Sequence, residues 1–160
     1  MIKEVTGDIT LTKARAIAHG VAPNDHFDSG LALSLRESFP SMYKDFRHYC
    51  HQFSPKSGTA WVWSGVEHRI VNLFTQEAPK NNHSHPGHAT LSNVDHALKE
   101  LAKLISSENI ESIAIPRLAT GVGGLNWEEV KPLIYKHLDQ TSAKVFLYSH
   151  FAKGEQAKEG

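Results

Sequence analysis

Six short apolar runs, rich in β-branched and aromatic residues, alternate along the chain with longer segments of helical period. That alternation restricts the fold more than any other feature of the sequence. The runs at 2–5, 16–20, 59–63, 69–74, 112–115 and 144–148 predict strands. Those at 69–74 and 112–115 are nearly continuous in apolar residues, as expected where helices cover both faces of a sheet. Helices are predicted at 30–38, 41–52, 91–106 and 127–138. The third carries Val94, Leu98, Leu101, Leu104 and Ile105 at spacings of three and four, one apolar stripe. Asn126 is placed to cap the fourth, with Glu129 at the reciprocal position of a capping box. The fold class is therefore α/β: a three-layer α/β/α sandwich around a central mixed sheet of about six strands. The sheet is mixed because the 59–63 and 69–74 runs are close enough to form a hairpin. Trp61 and Trp63 share one face of a strand and are read as core under a helix.

A length of 160 residues suits one domain, assigned to 1–151. Residues 152–160 form a polar tail which, like the stretch 80–88, is expected to be solvated. Seventeen basic residues balance seventeen acidic ones, so an extended nucleic-acid groove is not expected. No apolar run is long enough for a membrane span. The N-terminus lacks the apolar core of a signal peptide, and the lone Cys50 cannot form an internal disulfide. The cytoplasm is the default expectation. Eleven histidines raise the question of a metal. His83, His85 and His88 cluster in one loop without the spacing of a zinc motif, and His48, Cys50 and His51 lie on a helix where neighbours one or two apart do not share a face. Neither a metal site nor a cofactor is expected.

The chemistry points to anion binding. Ala119, Thr120, Gly121, Val122, Gly123, Gly124 and Leu125 follow a strand and precede a helix, so their backbone amides can approach a phosphate closely. The segment has neither the Lys-Ser/Thr ending of a P-loop nor the position of a dinucleotide fingerprint, and a plain turn would use the same glycines. A second loop runs from Asn24 to Ala32 into a helix start, where Ser29 and Gly30 offer a hydroxyl and an amide; simple capping by Asp28 or Ser29 is the plainer reading. Both loops leave carboxyl ends of strands, and two such loops make a diphosphate more plausible than one. Asp8, in the turn Gly7-Asp8-Ile9-Thr10, can accept from an exocyclic amine, and Tyr148 can stack on a base.

Taken together, these segments resemble the macro domain family of ADP-ribose-binding modules. GDIT at 7–10, the His19 strand leading to SGLA at 29–32, IVNLFTQ at 70–76 and PRLATGVGGLNW at 116–127 occur in family order and spacing over essentially all of 1–150. The likeness is strongest to the branch containing terminal ADP-ribose glycohydrolases and DarG-type DNA ADP-ribosyl glycohydrolase antitoxins. The resemblance implies that Asp8 and Ile9 meet the adenine and that Tyr148 flanks it. It implies that Ser29, Gly30 and Leu31 form one diphosphate wall and Thr120, Gly121, Val122 and Gly123 the other. Thr75, Gln76 and Leu118 would line the distal ribose, and His19 and Ala119 complete the ligand-binding set. The partner implied is ADP-ribose or an ADP-ribosylated macromolecule.

Four positions depart from the family pattern. Members of this branch that cleave ADP-ribosyl bonds resemble one another in a lysine where this chain has Gln76, and some carry an acid where it has Gly123. Ala22 replaces the usual Asn or Ser near the distal ribose, and Asp28 replaces a glycine beside the diphosphate. Glutamine can neither attack an anomeric carbon as an amine does nor exchange a proton near neutral pH. The activity implied is hydrolysis of ADP-ribosyl adducts on protein or nucleic acid without that lysine, by a positioned water. Asn24, Asp25 and His26 are the nearest polar candidates for catalysis. A non-catalytic ADP-ribose reader or metabolite sensor, and an ADP-ribose 1″-phosphate phosphatase, are the alternatives.

Overall fold

The computed structural model describes residues 1–81 and 86–160. Six strands, β1 (Ile2–Gly7), β2 (Ala16–Val21), β3 (Ala60–Ser64), β4 (Arg69–Phe74), β5 (Ser112–Ile115) and β6 (Lys144–Phe151), form one sheet in the order β1-β6-β5-β2-β4-β3. Every neighbouring pair is parallel except the β3–β4 hairpin. Four helices are described: α1 (Gly30–Ser38), α2 (Pro40–Phe53), α3 (Leu91–Ser107) and α4 (Trp127–Leu138). No helix among the described residues is long and apolar enough to cross a membrane.

Side-chain alternation along the strands divides the core in two. Val71 and Leu73 of β4 join Ile113, Ile115 and Leu147 under Val94, Leu98 and Leu101 of α3 and Ile134 of α4. Ile70 and Phe74 face the opposite way, with Ile17 and Ala114, onto Leu35 of α1 and Met42 and Phe46 of α2. Helices on both faces explain why the central strands read as unbroken apolar runs. Trp61 and Trp63 do share a face and pack against α2: Trp61 stacks on Tyr49 at 4.8 Å, and the Trp63 indole donates to Asp45 at 2.8 Å.

Local chemistry sets the helix ends. The Thr90 hydroxyl accepts from Asn93 N–H to start α3, and the Asn126 side chain accepts from Glu128 N–H to start α4. The predicted capping box is half made, because among the described residues no bond returns from Glu129 to the Asn126 amide.

The C-terminal tail departs from its solvated reading. Ala152 N–H donates to Gly7 O at 3.0 Å, and Asp8 N–H to Glu155 O at 2.7 Å. Ala157 is buried against Gly7, whose Cα is so close that an added Cβ would lie 2.8 Å from Ala157 N. The Glu159 carboxylate accepts from the Tyr148 and Thr12 hydroxyls and from Lys13 N–H. The cause is the sheet itself: α1 and α2 cover β2 and β4, and the tail packs over Phe146 and Tyr148 on the same face.

Candidate functional site

Because β2, β4 and β5 run parallel, the loops that follow them leave one edge of the sheet. They enclose a cavity of about 560 Å³ at the carboxyl ends of the strands, the usual ligand position in open α/β sheets.

The start of α1 forms one wall. Ser29 holds the N-cap position, yet its hydroxyl makes no capping bond and no acidic residue sits in the first turn. The first bond of the helix runs from Leu33 N–H to Ser29 O, so among the described residues the amides of Gly30, Leu31 and Ala32 have no protein acceptor. An uncapped, dipole-favoured cluster of donors suits an anion. Asp28, whose carboxylate opposes that charge, is turned toward Arg36 at 3.6 Å with its side chain 65% exposed.

The glycine loop after β5 forms the facing wall. Ala119 adopts φ +60°, the left-handed region that a Cβ disfavours, and Gly124 follows at φ +77°. Leu125 N–H to Ala119 O at 2.9 Å and Gly124 N–H to Gly121 O at 3.0 Å hold the turn. The amides of Gly121, Val122 and Gly123 take no acceptor among the described residues. Thr120 does not line the cavity; its hydroxyl donates to Arg117 O at 3.1 Å. Arg117 itself lines the cavity, with its Nε bonded to Ser149 O and its guanidinium 5.2 Å from the centre of the Trp127 ring. Sequence reasoning passed over this cation; its place at the head of the glycine loop was the available signal.

The floor is polar and buried. His19 and Asn72 are paired residues of β2 and β4, and His19 Nε2 lies 2.7 Å from Asn72 Oδ1. The amide oxygen can only accept, so Nε2 carries the proton and Nδ1 is an acceptor. Burial holds the His19 imidazole down at about 4, which keeps it neutral. Among the described residues, His19 Nδ1, Asn72 Nδ2 and Thr75 Oγ1 have no hydrogen-bond partner. Thr75 is fully buried behind Gly20, whose added Cβ would come within 2.7 Å of Thr75 Oγ1, and does not line the cavity. Gln76 does, with its side-chain amide donating to Gly87 O at 3.1 Å, and Leu118 closes the wall beside it.

The residues expected at the adenine are elsewhere. The β1–β6 register sets Val5 against Tyr148 and so brings Tyr148 near Asp8. Neither they nor Ile9 line the cavity, because the tail covers them. Asp8 Oδ2 accepts from Gly154 N–H, while Oδ1 accepts from the Thr10 amide and hydroxyl. Burial raises this carboxyl, but those bonds and Lys153 outweigh it and leave Asp8 below the usual range.

The three catalytic candidates divide. Asp25 borders the cavity, 8% exposed, with its two oxygens accepting from Ala22 and Phe27 N–H at 3.0 and 2.9 Å. Burial pushes its carboxyl up despite those bonds. They shape the loop, in which Asn24 and Phe27 both take positive φ. Asn24 and His26 line a separate cleft on the far side of Asp25. Of the loop histidines, His83 and His85 lie outside the described residues. Among the described residues no group of three His, Cys, Asp or Glu side chains is arranged to hold a metal.

The sequence profile of the macro domain family matches residues 18–134, which include both cavity walls and the floor. The chain belongs to the macro domain family. It is 27% identical over 139 residues to a DNA ADP-ribosyl glycohydrolase of Thermus aquaticus, an alignment covering 87% of this macro domain and 38% of that protein. Among solved structures, the macrodomain of Thermus aquaticus DarG superposes with a TM-score of 0.81 at 25% identity, covering 93% of this chain and 98% of that one. Thermosipho africanus DarTG in complex with ADP-ribose shares the fold, with a TM-score of 0.80 at 18% identity over 97% of this chain and 42% of that one. This macro domain thus spans well under half the length of the Thermus glycohydrolase.

Proposed function

We propose that this macro domain binds the ADP-ribosyl group of an ADP-ribosylated macromolecule and releases it by hydrolysis, with water as the nucleophile. The observation that carries the reading is the pair of facing walls, each with three unpartnered backbone amides, joined at the rim by Arg117. Donors fixed by the fold bind a diphosphate without reorganising and exclude no particular side of the adduct. With the diphosphate between 30–32 and 121–123, the distal ribose lies toward Gln76, Leu118 and Asp25. Asp8, Ile9 and Tyr148 stay under the tail, outside the cavity, and take no part in this placement. Water adds to the anomeric carbon as the bond to the acceptor breaks; the water gives up a proton and the acceptor takes one. The bound diphosphate offsets the positive charge that develops on the ribose. Asp25 acts as a positioning residue through the Ala22 and Phe27 amides.

A non-catalytic reader is the second reading, favoured by Gln76, whose amide is engaged with Gly87 O. The relatives named DNA ADP-ribosyl glycohydrolases favour the first. Calorimetric titration with ADP-ribose, followed by chromatography of products from ADP-ribosylated DNA and peptides, tests both. Binding with release of free ADP-ribose supports hydrolysis, and binding without release supports the reader. Phosphate release from ADP-ribose 1″-phosphate would move the activity to the phosphatase class. Absence of heat and of thermal shift at millimolar ADP-ribose would refute the whole reading.

A further inference from the structure

The sheet has two edges, β1 and β3, and they are guarded differently. On β1, Lys3 and Glu4 are exposed, and Glu4 is tied to Lys131 at 3.0 Å and to the Tyr135 hydroxyl at 2.7 Å. Charges on an edge strand keep other strands away. β3 reads Ala60-Trp61-Val62-Trp63-Ser64, with no charge, no proline and no shift in its register with β4. Gly65 N–H donates to His68 O at 3.0 Å, and Phe74 N–H to Thr59 O at 2.9 Å. Bonded pairs alternate along an antiparallel ladder, so these bonds turn the backbone of Thr59, Trp61, Trp63 and Gly65 toward β4 and that of Ala60, Val62 and Ser64 outward. Among the described residues nothing outside the sheet bonds the amides or carbonyls of those three.

We infer that β3 pairs with β3 of a second copy of this chain, antiparallel and centred on Val62, so that the two sheets become one. The strand complements itself in that register. Ala60 of each copy stands opposite Ser64 of the other, and Val62 opposite Val62; all have outward backbone groups, and each opposed pair exchanges two bonds. In the intervening pairs Trp61 opposes Trp63 on the α2 face, where side chains lie closest and aromatic pairs add stability. Both rings are already held, Trp61 on Tyr49 and Trp63 by its indole bond to Asp45, so little side-chain freedom is lost on association. Phe53, 62% exposed, extends this aromatic surface from Tyr49, 5.2 Å away. No like charges meet along the strand, and a two-fold axis through Val62 closes the assembly at two copies. An unrelated extended segment would meet the same backbone groups; the self-complementary register is what selects a second copy. No residue of β3 lines the cavity, so both cavities stay open and the inference stands apart from the function proposed above.

Sedimentation equilibrium of the whole chain, from micromolar to about millimolar concentration, is expected to show the mass rising from monomer to dimer and no further. Hydrogen exchange read by NMR at the two ends of that range should show protection gained at the Ala60, Val62 and Ser64 amides, while those of Trp61 and Trp63, already bonded to β4, stay unchanged. Val62→Pro removes an outward N–H and leaves the ladder to β4 intact, as proline does on edge strands; it should abolish the dimer. Val62→Lys and Val62→Glu should each be monomeric, because like charges would face each other across the axis, and an equimolar mixture of the two should dimerise again. That rescue separates lost pairing from a damaged fold, and the exchange measurement, made on the wild type alone, decides the matter if a variant fails to fold. A monomer throughout the range would leave the edge to an extended segment of another protein and overturn the inference. So would a dimer that survives Val62→Pro and Val62→Lys, protection gained at other amides instead, or folded Lys and Glu variants that do not associate when mixed.

Discussion

His19 links the chemistry of the cavity floor to the stability of the fold. Burial lowers its pKa from an ordinary 6.5 to about 4, so the folded protein holds the ring neutral while the unfolded chain protonates it. Between those values the unfolded state binds more protons, and stability falls as pH drops. At one pKa unit per 1.36 kcal/mol, lowering the pH from about 7 to about 5 withdraws roughly 2 kcal/mol through this one residue. Ordinary carboxylates stay ionised down to about pH 5 and contribute little in this window. Asp25 works in the opposite sense, since a carboxyl raised by burial favours the folded state as it takes up a proton. The wild-type profile is therefore a sum, and a variant isolates His19. His19→Gln keeps a donor near Asn72 Oδ1 in place of Nε2–H and cannot titrate. Urea denaturation at both pH values should show the wild type losing about 2 kcal/mol more than the variant, or about 4–8 °C in Tm. Parallel profiles for the two proteins would refute the buried neutral imidazole and with it the free Nδ1 acceptor at the cavity floor.

The remaining predictions concern the loops and the tail. Gly121→Glu should fold normally, because an added Cβ at this position meets nothing within 4 Å, yet weaken ADP-ribose at least about tenfold by placing a carboxylate beside the diphosphate; calorimetry at unchanged Tm checks both halves. Gly123→Asp should lose about 1–3 kcal/mol of stability, since its Cβ would sit 2.6 Å from Ala119 O, a cost read from denaturant midpoints. Tyr148→Phe removes the hydroxyl that donates to Glu159 and should destabilise by about 1–2 kcal/mol, with faster amide exchange confined to residues 152–160. Gln76→Lys should leave turnover within about threefold of wild type, because general acid–base gains need a matched partner and the facing loop offers no acid at 123; single-turnover release of ADP-ribose measures it.

What was legible in the sequence is what short-range physics decides. The stripe from Val94 to Ile105 and the unbroken runs of β4 and β5 identified both faces of the sheet, and the glycine-rich turn before Asn126 located one wall. The other findings depend on distant pairing. Asp8 and Tyr148 meet only because β1 pairs with β6 across nearly the whole chain. The packing of the tail is not legible because its residues are polar, and polarity says nothing about a bare face over Phe146 that even two alanines and a backbone can cover. The cleft beyond Asp25 draws its side chains from three separate segments, none of which is rich in charge. Ser29 shows a subtler limit: the residue type suggests a cap, and the absence of the capping bond, which leaves the first-turn amides open among the described residues, is visible only in three dimensions.

Gln76 and Gly123 acquire a common explanation once the bonds between their loops are followed. Gln76 bridges to Ala89 and donates to Gly87 O; Ala89 N–H in turn donates to Gly123 O at 3.0 Å. Gly123 sits so close under Ala119 that no side chain fits there, and Ala119 itself is held in a left-handed conformation by its bond to Leu125. The two positions where the resemblance implies a lysine and, in some members, an acid are here the ends of one hydrogen-bonded brace between the loops. A brace of this kind fixes the amides of the glycine loop and, on the proposed function, favours affinity while giving up the proton transfer that a positioned acid or base contributes, about 10²–10⁴ in rate. On the proposed function, the chain is expected to hold ADP-ribosyl groups as firmly as the amide walls allow and to turn them over slowly, with acceleration coming from the electrostatics of the loops.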